Sequence, residues 1–230
     1  MHRRRTIGEK RWLDTPDFVS IATIWCENAS AILLRFVWEA YDLLCEEVLA
    51  DIDFLQTEAE LERSITQYWE PRIHRAMAGN EPFYVQHGPY EFETRMEPPA
   101  QSPQYDIAFV LHENMRVMWP LEAKVLKTAG TVADYVDDIQ NQFLVCRYAP
   151  FSSEGGMVGY LLSGESAKVF DNIEAKLSCV LHSHSAFLDR DHKISEHNRM
   201  VEEGKLYPQE FRCHHLIFGI QANEAARQQK

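Results

Sequence analysis

Glu122, Ala123 and Lys124 close an apolar run, Val117-Met118-Trp119-Pro120-Leu121, and Asp106 sits at the start of another, Tyr105-Asp106-Ile107-Ala108-Phe109-Val110-Leu111. Two carboxylates and a lysine can hold a divalent cation through hard oxygen donors and act on a water beside it. That chemistry requires the three residues to meet, and register decides whether they do. Between the runs lies a polar break, His112-Glu113-Asn114-Met115-Arg116, which predicts a β-hairpin turning at Asn114, a residue that tolerates left-handed backbone. Counting outward from Asn114 pairs His112 with Arg116 and Asp106 with Glu122. Side chains alternate along a strand, so Glu122 and Lys124 share a face, and Asp106 opposite Glu122 shares it too. Adjacent acids repel unless a cation stands between them. Strands this apolar are expected to be buried on both faces, where charge is costly without a role. Pro120 cannot donate to a ladder and predicts an edge position or a bulge for the second strand.

With an aspartate on one strand and Glu-x-Lys at the end of the next, the chain resembles the PD-(D/E)XK superfamily, the restriction-endonuclease-like nucleases. The resemblance implies an α/β fold whose core runs helix, three strands, helix, strand. It also implies that Asp106, Glu122 and the main-chain carbonyl of Ala123 hold Mg²⁺, or Mn²⁺, while Lys124 orients or helps deprotonate the attacking water. The reaction implied is hydrolysis of phosphodiester bonds, in DNA more readily than in RNA. The family's first helix commonly carries one more acid, for which Glu58, Glu60 and Glu62 are candidates. Helical geometry places Glu58 near the apolar stripe, Glu60 on the opposite side and Glu62 at the margin, so Glu58 is the expected residue and Glu62 the reserve.

The elements that must position these residues can be read on either side of them. Leu55, Leu61, Ile65, Tyr68, Trp69, Ile73 and Met77 give helical spacing over residues 54–77. Pro82-Phe83-Tyr84-Val85 and Tyr90-Glu91-Phe92-Glu93 predict a first strand or short hairpin, and a Pro-rich loop over 98–103 leads to Asp106. After Lys124, Thr131 predicts a helix N-cap with Asp134 in the first turn, and Val132, Tyr135, Val136, Ile139, Phe143 and Leu144 mark one face. Glu154-Gly155-Gly156 predicts a turn into a buried strand over 157–162. The expected organisation is one nuclease-like domain over 1–230: a helical extension over 16–50, a core over about 54–163 and a C-terminal elaboration over 164–230.

Residues 16–50 are apolar around more than one face, which predicts burial on several sides, in the chain's own core or against a partner. The C-terminal third holds six of the ten histidines. His214 and His215 fall in a strand-like run and face opposite sides, which opposes a shared zinc. The segment Ser195-Glu196-His197-Asn198-Arg199, with His214-His215-Leu216-Ile217-Phe218, is similar to the tails of some bacterial defence-associated nucleases of this class. His197 and Arg199 are candidates to hold a phosphate, since both donate to anionic oxygens. The alternative is that they are satisfied within the packing.

Lys and Arg total 23 against 35 acids, a net charge of −12. The first twelve residues contribute +4, with Arg3, Arg4, Arg5, Lys10 and Arg11 against Glu9, leaving −16 for the rest. Nonspecific nucleic-acid binders rely on basic surfaces. The deficit therefore predicts a basic or nucleic-acid-binding partner subunit, or a homo-oligomer, docked through the 16–50 helix. It also keeps open a different class of function, a catalytically silent nuclease-fold subunit that acts as an interaction module. Five cysteines without a C-x-x-C predict reduced thiols in a cytoplasmic protein, with no signal peptide and no membrane span.

Overall fold

The computed structural model describes residues 16–91, 93, 94 and 102–220. The basic cluster over 3–11, Phe92 and most of the Pro-rich loop lie outside the described residues. Among the described residues are four α-helices and one seven-stranded mixed sheet: α1 (Pro16–Glu47), α2 (Glu58–Ala76), β1 (Phe83–His87), β2 (Ile107–Leu111), β3 (Met118–Leu126), α3 (Ala133–Asp138), β4 (Glu154–Leu161), α4 (Ser166–Leu177), β5 (His182–Ser183), β6 (His192–Asn198) and β7 (Glu210–Gly219). The spatial order is β1-β2-β3-β4-β7-β6-β5. The central pairs β3–β4 and β4–β7 are parallel, and the flanking pairs are antiparallel. From α2 to β4 the elements run helix, three strands, helix, strand.

The central strands are apolar on both faces because both faces are covered. Odd residues of β2 and β3 (Ile107, Phe109, Trp119, Leu121, Ala123, Val125) pack with Leu33, Val37, Leu44, Ile65 and Trp69 of α1 and α2. Even residues (Ala108, Val110, Met118, Leu126) pack on the other face with Tyr135, Val136 and Phe170 of α3 and α4. Asp106, Glu122 and Lys124 are even, and so belong to the α3 face. Glycine permits the tight β4 packing: a Cβ at Gly156 would come within 2.5 Å of Leu121, and one at Gly155 within 2.9 Å of Phe143. For that reason Glu154-Gly155-Gly156 is the start of β4 and not the expected turn.

The hairpin register is the expected one, with Ile107 opposite Leu121 and Phe109 opposite Trp119. Its loop is longer than three residues. Asn114 N–H donates to the Leu111 carbonyl and Val117 N–H to the Asn114 carbonyl, giving two successive turns. Pro120 produces neither an edge nor a bulge. β3 is internal, Pro120 stays in register with Ala108, and pairing with β4 starts one residue later at Leu121. The strand therefore never asks that position for a donor on the β4 side.

Two further expectations change. Thr131 is not an N-cap; Val132 is, and the Thr131 hydroxyl instead donates to the Thr128 carbonyl. Helix α3 gives way after Asp138 to a π-turn over Ile139–Phe143. The 16–50 segment is helical as expected, but its aromatic face is core: Phe36 is 4% and Trp38 3% exposed. They pack against Phe83 and Phe218, so they are not available as a docking face. No helix among the described residues is long and apolar enough to cross a membrane.

Candidate active site

β2 stops pairing with β3 at Ile107–Leu121, so the β3 edge beyond Leu121 needs other acceptors for its N–H groups. Two carboxylates supply them. Ala123 N–H donates to Asp106 Oδ2 at 2.8 Å, and Val125 N–H donates to Glu62 Oε2 at 3.2 Å. Asp106 reaches this point because it continues the register that sets it opposite Glu122. Glu62 arrives from α2 on the opposite layer. Four of the expected residues, Asp106, Glu122, Ala123 and Lys124, are thus together.

Lys124 is the charge around which the acids gather. Its Nζ lies 2.9 Å from Asp138 Oδ2, 3.3 Å from Glu122 Oε1 and 3.9 Å from Glu62 Oε1. Glu122 is 7% exposed, and among the described residues its Oε2 has no hydrogen-bond partner. Burial raises the Glu122 carboxyl well above its ordinary range, and the Asp106 charge adds to this. Burial also raises Asp106, against the Ala123 N–H and Lys124. Glu62 is pushed up to about 7, by burial first, with Lys124 opposing. Burial alone would lower Lys124, but Glu122, Asp138 and Glu62 outweigh it and hold the amine above its ordinary value. Lys124 is therefore an ammonium at neutral pH, a donor and not a base.

Glu58 does not join this group. Thr57 caps α2 and forms a capping box with Glu60, so Glu58 is in the first turn, where it is exposed and pairs with Lys127. Glu62, one turn deeper, takes the expected position. Asp138 was missed by the sequence reading, although a signal existed: it follows Tyr135 by three residues, at the margin of the apolar stripe of α3.

His197 and Arg199 are elsewhere. β6 is separated from β3 by β7 and β4. Arg199 is 6% exposed, and its guanidinium donates to the main-chain carbonyls of Phe143, Ser152, Tyr148 and Ala149 at 2.8–3.0 Å. It clips together the loop after the π-turn, where Cys146 and Ala149 adopt positive φ, and commits four of its five N–H donors there. His197 Nε2 lies 2.6 Å from Ser195 Oγ, which also contacts His215 Nε2 at 2.7 Å. Both candidates are thus engaged in the packing around β6 and the loop after α3, and the fold does not bring them to Asp106, Glu122 and Lys124.

His192 and His214 are committed to a buried chain of hydrogen bonds. Trp38 Nε1–H donates to His192 Nδ1 at 3.4 Å, His192 Nε2 lies 3.2 Å from His214 Nδ1, and His214 Nε2 lies 3.3 Å from Glu154 Oε2. Tryptophan can only donate, which fixes both tautomers: each histidine accepts at Nδ1 and donates from Nε2 toward Glu154. His184 stacks on His192 at 4.9 Å, a geometry that turns ring faces and not lone pairs toward each other.

Asp106, Glu122 and the Ala123 carbonyl could hold a cation. The donors are hard oxygens, and Glu122 Oε2 is a buried acceptor without a donor. Among the described residues no three His, Cys, Asp or Glu side chains converge on one point. Two carboxylates, with water completing the shell, are the donor set Mg²⁺ commonly takes. Compared with protein-family models, with curated proteins and with solved structures, the chain matches none, so its reading rests on this geometry.

Proposed function

We propose that the chain is a metal-dependent nuclease with a restriction-endonuclease-like core, hydrolysing phosphodiester bonds of DNA with Mg²⁺ or Mn²⁺. The observation that carries this reading is the meeting of Asp106 and Glu122 across one hairpin, with a buried, unpartnered Glu122 oxygen beside the Lys124 ammonium. Asp106, Glu122 and the Ala123 carbonyl would hold the ion, which supplies positive charge to the phosphate and acidifies a bound water. Lys124 donates to a phosphate oxygen and offsets charge that builds there. Glu62, whose Oε1 lies 3.9 Å from the Lys124 ammonium, would be the carboxylate placed to take a proton from an attacking water. A partner subunit, or a second copy of the chain, adds basic surface to a chain whose net charge is −12, in a bacterial defence or DNA-processing complex.

One observation favours the second reading, a catalytically silent interaction subunit. Lys124 already neutralises part of the acid cluster, as it would in a site that binds no ion. Melting curves in rising Mg²⁺ or Mn²⁺, with DNA and RNA cleavage assayed alongside, separate the two. The expected result is stabilisation and cleavage by the wild type, both lost in Asp106→Asn and Glu122→Gln. Equal cation responses in all three proteins, or none in the wild type, would leave the silent subunit as the reading.

A further inference from the structure

Lys124 and a cation compete for the same carboxylate. An ammonium 3.3 Å from Glu122 Oε1 satisfies part of the charge an ion would need, and side-chain rotation would bring it to Oε2. Nζ donates a hydrogen bond to Glu122 Oε1, while on another element Asp138, at the last position of α3, is its nearest carboxylate, an ion pair at 2.9 Å whose Oδ2 makes no hydrogen bond among the described residues. The two groups are largely buried, 21% and 15% exposed, so the pair is not a loose surface contact. The helix changes form directly after Asp138. Leu144 N–H donates to the Ile139 carbonyl, five residues back, and Ile139 and Phe143 are fully buried on either side of that turn. Such single-turn π segments recur at functional sites, and here the turn's buried residues anchor the end of the helix that carries Asp138.

From this arrangement we infer that Asp138 is a positioning residue that draws Lys124 away from Glu122 and so keeps Glu122 Oε2 open for a divalent cation. The inference rests on the metal-dependent reading of the site. It adds that cation affinity is set by a carboxylate that does not touch the ion. Removing Asp138 lets the ammonium settle onto Glu122, its next acid, and the ion must then displace it.

A double-mutant cycle read by Mn²⁺ binding, through calorimetry or the paramagnetic resonance of the free ion, tests this without any cleavage assay. Asp138→Asn should weaken Mn²⁺ binding about tenfold, within the coupling range of residues that share one ion-pair network. In a Lys124→Met background, the same Asp138→Asn change should have no further effect, because no ammonium remains to be held. Asp138→Ser, measured in parallel, gives the same comparison if the Asn variant does not fold, and melting in EDTA reports folding for each protein. Wild-type affinity in Asp138→Asn would overturn the inference, and so would a tenfold loss that persists without Lys124, since Asp138 would then be a ligand itself. Both results leave the metal-dependent reading standing. Absence of Mn²⁺ binding by the wild type would remove that reading, and the inference with it.

Discussion

Glu62→Gln should make the metal-free protein more stable, and only above weakly acidic pH. The Glu62 carboxyl titrates at about 7 in the folded chain against an ordinary 4.5, burial being the main cause. A raised carboxyl binds its proton more tightly folded than unfolded, so its contribution favours the folded state at low pH and is lost as pH rises from 4.5 to 7. A shift of this size, at about 1.4 kcal/mol per pKa unit, costs the folded state about 3 kcal/mol at pH 8 and almost nothing near pH 4.5. Glutamine has the shape of the neutral carboxyl and can still accept the Val125 N–H, so the substitution removes the cost and keeps the contact. For a chain of this length the gain corresponds to a melting temperature higher by about 6–12 °C at pH 8. Melting wild type and variant in EDTA at half-unit steps from pH 4.5 to 8.5 gives the whole curve. A difference that is flat with pH, or of opposite sign, would refute the reasoning, because neither arises from a carboxylate forced to ionise beside Asp106 and Asp138. Sites that hold charge against its preference are where stability is given up for chemistry.

Two other outcomes follow from residues whose expected roles changed. Arg199→Ala should lower stability by about 3–5 kcal/mol, measured in urea, because it leaves four buried main-chain carbonyls without a charged donor; a folded, equally stable variant with weaker nucleic-acid binding would restore the phosphate role. Phe36→Glu should abolish the cooperative melting transition, since it buries a charge where 4% of the side chain is exposed; a folded variant that has lost only a binding partner would restore the docking face.

The hairpin was legible because its information is local. Asn114 marks the centre of a polar break between two apolar runs, and alternation then puts Asp106 opposite Glu122 without reference to the rest of the chain. Glu62 was harder. Spacing along a helix gives the face of a residue but not its depth, and Thr57 capping leaves Glu58 in the outermost turn. The Pro120 expectation treated the ladder as continuous on both sides of β3, whereas β4 pairing begins only at Leu121. Asp138 stands at the margin of a helical stripe that the sequence shows, but its pairing with Lys124 depends on how α3 packs against β3, which no single segment encodes. Arg199 shows the general limit: a sequence reveals five donors, but only the fold reveals that four main-chain carbonyls take four of them.

The one-way chain from Trp38 through His192 and His214 to Glu154 has a consequence for proton traffic on folding. His192 gives its only lone pair to Trp38, and burial drives its pKa down to about 2, so folding sheds the proton this imidazole carries when unfolded below pH 6.5. Its contribution to stability is whole above that pH and declines as the solution is acidified. The β2–β3 end of the sheet behaves in the opposite sense, since Glu62, Asp106 and Glu122 all take up protons when buried. In weakly acidic solution the metal-free chain therefore folds with uptake at one end of the sheet and release at the other, and the two partly cancel. A cation that displaces the carboxyl protons would silence one side of this exchange, leaving the imidazoles to set how the loaded protein responds to acid.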